Sequence, residues 1–189
     1  MIKTTPKQPL ADIEEELQLI ERIIQRDEIA LERLYVVYTQ RLNRFLFRMV
    51  GYNESGVSEI INEVMFIVWQ KADTFDRTSK VSTWIFGIAV RIARKFLSRR
   101  GIDTYDSSDI AEEQQDLSWQ QDLERKDSLE KAMAKLSPEH RAVVELTYYQ
   151  GLHYHEVAAI MDCPENTIKT RMFYAREKLR QALERAQDI

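Results

Sequence analysis

Asn166, Thr167, Lys169, Thr170, Arg171, Phe173 and Arg176 crowd into eleven consecutive positions near the C-terminus. Amides, hydroxyls and cations at this density are the side chains that read base edges or hold phosphates. Ile168 and Met172, four apart, are the apolar positions of a helix that leaves this set pointing outward. Met172, Ala175 and Leu179 read as core. Just upstream, Val157, Ala158 and Met161 give a short helix its apolar face, and Asp162-Cys163-Pro164 interrupts it. The interruption has a steric cause, since proline disfavours α conformation in the residue before it. Two short helices across a tight turn make a helix-turn-helix, whose second helix enters the major groove. DNA is therefore the leading candidate partner.

A second set lies between Arg77 and Gly101, where seven basic residues occur without an acid. Trp84, Arg91 and Lys95 fall at spacings of seven and four on one helical flank, with Arg94 beside them. Cations that track phosphates beside a ring that stacks on unpaired bases suit single-stranded DNA. The plainer alternative is that Trp84 is core and the cations are solvated. A third set, Glu59, Asn62, Glu63, Phe66 and Gln70, shares one face of another helix. A phenylalanine among carboxylates and amides suggests protein docking, against the alternative of a solvated face with one stray aromatic.

Other chemistry finds little footing. His153 and His155 are two apart, so that even with Cys163 they lack the paired spacing of a zinc site. No Gly-rich phosphate loop, nucleophile signature or carboxylate pair stands out, and neither enzyme activity nor a metal or cofactor is expected. His140 reads as a surface or capping residue. The net charge of −4 looks unfavourable for nucleic acid, yet its distribution is blocked. Asn166 to Arg180 holds five bases against Glu177, whereas Gly101 to Glu124 holds eight acids and no base. Local blocks decide where a polyanion binds. One cysteine fits a reducing compartment, and neither a signal pattern nor an apolar run of roughly 20 residues is evident, so a cytosolic protein without membrane insertion is expected.

The elements that must position these sets are all helical. Apolar residues from Leu17 to Leu46, Tyr35 among them, recur at three and four and predict one or two helices over 12–48. Further helices are expected over Ser58–Asp73 and from a cap at Ser82 or Thr83 to about Arg99, after a polar loop at Asp76–Val81. Ser137-Pro138-Glu139 predicts a helix start with Ser137 as cap, and Gly151 a helix end. The expectation is an all-α chain: a disordered tail at 1–11, a domain at 12–100, a flexible acidic linker at 101–125, and a domain at 126–187 containing the helix-turn-helix.

Four blocks in this order resemble a known family. They are Glu59-Ile-Ile-Asn-Glu-Val-Met-Phe-Ile-Val-Trp69, Val81-Ser-Thr-Trp-Ile-Phe-Gly-Ile-Ala-Val-Arg91, then Leu136-Ser-Pro-Glu-His-Arg-Ala-Val143 with Gly151-Leu-His-Tyr-His-Glu-Val-Ala158, and Asn166-Thr-Ile-Lys-Thr-Arg-Met172. The chain resembles the extracytoplasmic-function (ECF) sigma factors, the two-domain promoter-specificity subunits of bacterial RNA polymerase. The resemblance implies that Glu59, Asn62, Glu63 and Phe66 bind the polymerase clamp. Lys80, Ser82, Trp84, Arg91, Arg94, Lys95 and Arg99 would meet the minus-ten element, duplex and melted. Asn166, Thr167, Lys169, Thr170, Arg171, Phe173, Arg176 and Lys178 would meet the minus-thirty-five element. It also admits an anti-sigma factor as partner, and it lets the acidic linker occupy a basic nucleic-acid channel of polymerase. Three positions depart from the family pattern: Arg91 replaces an asparagine, while Asp162 and Asn166 replace glycines. Two other classes remain compatible with the residues alone, a stand-alone DNA-binding regulator and a helical protein-binding adaptor.

Overall fold

A computed structural model describes residues 10–51, 53–102 and 128–187. Most of the expected tail and nearly all of the expected linker lie outside these residues, although Leu10 and Ala11 already belong to the first helix. The described residues form eight α-helices and no strand. They are α1 (Leu10–Ile24), α2 (Glu28–Met49), α3 (Glu54–Lys71), α4 (Val81–Arg99), α5 (Ser128–Ala134), α6 (Pro138–Val144), α7 (Tyr154–Met161) and α8 (Glu165–Gln187). A 3-10 turn follows α3 at Ala72–Thr74, and a π-turn extends α6 over Glu145–Tyr149.

Local chemistry sets the boundaries. Asp27 caps α2 by accepting the Ala30 amide at 3.2 Å, and Asn53 caps α3 by accepting the Gly56 amide at 2.9 Å. The helix expected over Ser58–Asp73 thus begins a turn earlier, at Glu54, and takes in Gly56. Its lack of a side chain matters: a Cβ there would lie 2.3 Å from the Phe96 ring of α4, so Gly56 lets α3 and α4 approach closely. α4 begins at Val81 with Lys80 as its flanking residue, so neither Ser82 nor Thr83 is its cap. Ser137 does cap α6, accepting the His140 amide, and Pro138 occupies the first turn. His140 is buried rather than superficial, its Nδ1 2.9 Å from the Ser137 hydroxyl.

α1, α2, α3 and α4 pack on one another in the N-terminal half, and α8 packs on α5, α6 and α7 in the C-terminal half. The halves also pack together, α4 against α7 and α2 against α6, so that one continuous apolar core runs through both. α4 shows this in its burial. Periodicity predicts a buried stripe of Ile85, Ile88, Ala89, Ile92 and Phe96; the first four are buried and Phe96 is half-buried, while a second stripe of Ser82, Phe86, Val90, Ala93 and Leu97 is buried too.

Candidate nucleic-acid and protein interfaces

The helix-turn-helix is built around one left-handed residue. Asp162 ends α7 at φ 52° and ψ 55°, a conformation that aspartate tolerates better than most non-glycine residues. The Cys163 amide then bonds the Ala158 carbonyl at 3.1 Å, closing the turn before Pro164 and α8. At the start of α7 the Glu156 carboxylate accepts the His153 amide at 2.9 Å. Burial pushes the Glu156 carboxyl up, but its bonds to Lys80 and the His153 amide outweigh that and leave it below the usual range.

Along α8, Asn166, Lys169, Thr170, Phe173, Arg176 and Lys178 are exposed, and Thr167 is half-buried. Lys169 pairs with Glu165 at 2.9 Å in water-exposed surroundings, where such a pair is readily exchanged for a phosphate. Tyr174, also exposed, meets the Phe173 ring edge-on at 5.5 Å and extends the aromatic surface beyond the residues expected from sequence. Arg171 requires a correction. It points inward, with its guanidinium 3.0 Å from the buried Glu139 carboxylate and 3.8 Å from the Cys163 sulfur. It follows Ile168 by three positions and precedes Ala175 by four, which is the buried face. Arg171 braces α8 against α6.

The second set occupies the loop before α4 and the helix itself. Asp76 accepts both the amide and the hydroxyl of Thr78, at 2.9 and 2.8 Å, and these bonds hold its carboxyl below the usual range. Arg91, Lys95 and Arg99 are exposed. Trp84 is half-buried and packs against Phe75 at 5.4 Å, between the two readings that the sequence left open. Ser82 is 1% exposed, a further correction, because the second buried stripe of α4 includes it. Lys80 and Arg94 are committed to carboxylates of the C-terminal half. Lys80 Nζ lies 2.6 Å from Glu156, and Arg94 holds both oxygens of Glu139 at 2.9 Å.

On α3, Glu59, Asn62 and Gln70 are exposed, Glu63 is half-buried and Phe66 is 58% exposed. Sequence periodicity placed Tyr35 of α2 in the core, but it is 37% exposed and its hydroxyl donates to Asn62 Oδ1 at 3.2 Å. Next to it Val36 and Val37 are exposed as well, and Tyr35 and Val36 line a shallow groove with Thr39, Gln40, Asn43 and Arg44. The exposed surface around Phe66 thus spans two helices. Two adjacent valines off the amphipathic stripe were its signal in the sequence.

His153 and His155 stack at 5.7 Å. Among the described residues, no group of three or more His, Cys, Asp and Glu side chains is placed to hold a metal ion, and no helix is long and apolar enough to cross a membrane.

Fold and surfaces together define a helical protein with a helix-turn-helix whose outer face is polar, cationic and aromatic. Two family models match it, Sigma-70 region 2 over residues 34–102 and Sigma-70, region 4 over residues 132–181. The chain is 33% identical over 168 residues to the ECF RNA polymerase sigma factor RpoE of Cereibacter sphaeroides, covering 82% of this chain and 87% of that protein. It is 27% identical over 184 residues to the RNA polymerase sigma-H factor of Pseudomonas aeruginosa, covering 90% and 95%. A solved structure of the sigma factor RpoE in complex with the anti-sigma factor NepR from Bartonella quintana shares the fold, with a TM-score of 0.62 and 23% identity over 81% of this chain and 96% of that one. The chain belongs to the ECF sigma factors of RNA polymerase.

Proposed function

We propose that this chain binds bacterial RNA polymerase core in the cytoplasm and directs it to promoters through two separate DNA-contacting helices. The outer face of α8 carries the reading: on a turn closed by left-handed Asp162, it presents Asn166, Lys169, Thr170, Phe173 and Arg176 together to solvent. These side chains take the minus-thirty-five element in the major groove, and Lys178 holds phosphate. Trp84, Arg91, Lys95 and Arg99 take the minus-ten element, with Lys80 and Arg94 joining once released from Glu156 and Glu139. Arg91 supplies a cation there in place of an amide. Glu59, Asn62, Glu63 and Phe66, extended by Tyr35 and Val36, dock on the polymerase clamp. The acidic segment 101–125 enters a basic channel of polymerase until RNA displaces it, and an anti-sigma factor is the expected antagonist. None of these roles makes or breaks a covalent bond, in keeping with a sigma factor.

The test is transcription in vitro with purified core and a promoter library. Core with this chain is expected to start transcripts at defined promoters that core alone ignores, and absence of that selectivity would sink the proposal. Replacing Arg91 and Lys95 by alanine is expected to impair strand opening, read by permanganate reactivity, more than recruitment. Opening requires contacts that offset an unstacking cost of a few kcal/mol.

A further inference from the structure

His153 flanks α7 and His155 lies in its first turn. Both are exposed, and their rings stack within 10° of parallel at 5.7 Å. Among the described residues they lack the third ligand of a metal site. Their position gives them another use. Tyr154, between them in the chain, is half-buried and lines two adjoining grooves. One groove contains His153, His155 and Glu165, and the other contains Lys169, Phe173 and Arg176 of the outer face of α8. The imidazoles thus continue the surface proposed to meet duplex DNA. In a helix-turn-helix the second helix enters the groove while the first crosses the backbone, which brings the start of α7 to the phosphates.

Four titratable groups face the pair: Tyr148 of the π-turn, Tyr154 and Glu156 of α7, and Glu165 of α8. Both carboxylates already hold a lysine. Glu156 binds Lys80 at 2.6 Å with one oxygen and the His153 amide at 2.9 Å with the other. Glu165 binds Lys169 at 2.9 Å, which is the main reason its carboxyl stays below the usual range, and His155 adds a smaller part. DNA acts on these two carboxylates differently. Glu156 is buried, whereas Glu165 and Lys169 stand in water, so a phosphate can draw Lys169 away and leave Glu165 without its cation. His155 is the neighbouring group able to supply the missing charge. Imidazole is the side chain that changes charge between about pH 5 and pH 8. Two stacked imidazolium ions repel each other, and an approaching phosphate reverses that balance.

We infer that His153 and His155 form a proton-dependent phosphate contact at the edge of the minus-thirty-five site, and that the chain takes up protons there as it binds the duplex. The inference rests on the reading that the outer face of α8 meets that element. Phosphate oxygens accept from both imidazolium rings, and His155 also compensates the Glu165 that Lys169 releases. By linkage, DNA that raises the proton affinity of these rings binds the protonated chain more tightly by the same factor. The upstream contact therefore strengthens as pH falls through the imidazole range. The bases read do not change, because phosphate contacts carry no sequence information.

The experiment uses core polymerase assembled with the full chain and a labelled duplex carrying a promoter recovered from the transcription library. Between about pH 6 and about pH 8 the wild type is expected to lose about tenfold in affinity beyond any loss in the variant His153→Gln with His155→Gln. His153→Arg with His155→Arg, whose charge is permanent, is expected to keep the tight binding at the higher pH. Two phosphate contacts should also make the wild-type salt slope steeper at the lower pH by about 1.8 on a log–log scale. The chain has only three histidines, so single variants identify the His153 and His155 ring protons by NMR. Their titration midpoints are expected to rise when the duplex is added to the full chain. A glutamine variant with the wild-type pH profile overturns the inference, as does an upstream base preference that changes with these substitutions. Should the substitutions disturb the fold, the wild-type NMR titration decides alone, and midpoints that the duplex leaves unmoved overturn the inference. Failure of the underlying reading looks different: the wild type would then show no preference at any upstream base at either pH.

Discussion

Two basic residues of α8, two positions apart, mark where residue type stops predicting role. Lys169 and Arg171 share that helix, yet Lys169 faces water and Arg171 faces Glu139. Removing Arg171 would leave a buried carboxylate with less of its compensating charge, at a cost of about 3 kcal/mol. Arg171→Ala is therefore expected to lower the melting temperature without changing base preference. Asn166→Ala is expected to relax preference at one base of the upstream element, since a base-edge contact discriminates by about 1–3 kcal/mol. Lys178→Ala should weaken all sequences alike and flatten the salt dependence. Thermal denaturation beside transcription from a randomised upstream element separates the three behaviours. On α3, Phe66 is the one large apolar side chain among exposed polar neighbours, and Phe66→Ala is expected to weaken core binding by about 1–2 kcal/mol with the fold unchanged. Co-purification with polymerase at the wild-type level would reassign that face.

At the scale of elements, capping decides how firmly each surface is presented. Asp27 accepts the Ala30 amide at the start of α2, and the Arg22 guanidinium, 2.7 Å away, is the larger reason its carboxyl stays below the usual range. A carboxyl whose pKa is depressed by folding contributes stability above its unfolded pKa and loses it as pH falls through the folded value. Arg22→Ala is thus expected to raise the Asp27 titration midpoint, so that the first turn of α2 frays at a less acid pH. An NMR titration of the Asp27 carboxyl and the Ala30 amide reads both, and an unmoved midpoint would discount Arg22. Much of this level was legible in the sequence. The break at Asp162-Cys163-Pro164, the Ser137 cap and the 3.6-residue periods placed the helices, because these signals act within a few residues. The start of α4 was missed because serine and threonine are ordinary caps, whereas here both point into packed surroundings. Arg171 was missed because its charge was weighed above its place between Ile168, Met172 and Ala175. Tyr35 was missed for the opposite reason, since an aromatic on an apolar stripe reads as core until its hydroxyl finds Asn62.

For the molecule as a whole, what escaped the sequence is the second buried stripe of α4 and the ion pairs that cross between the halves. Nothing local encodes them: Lys80 and Arg94 read as cations of a DNA-facing flank until Glu156 and Glu139 are set beside them. The blocked charge pattern did carry part of the information, in that a chain of net charge −4 keeps its cations in stretches that acids elsewhere can meet. A continuous apolar core has a thermodynamic consequence. Two helical units that merely shared a tether would melt separately, whereas units sharing a core across α4–α7 and α2–α6 should melt together. Scanning calorimetry of the wild-type chain is expected to show one transition, with a van't Hoff enthalpy equal to the calorimetric one. Arg48 of α2 clasps Glu130 of α5 and the buried Glu145 across the halves, so Arg48→Glu removes an attraction that only the packed halves enjoy and should split that transition into two while leaving helix content at 25 °C unchanged. Two transitions in the wild type would mean that the shared core contributes too little to couple the halves, and one transition in both chains would mean that the Arg48 clasp is not what couples them.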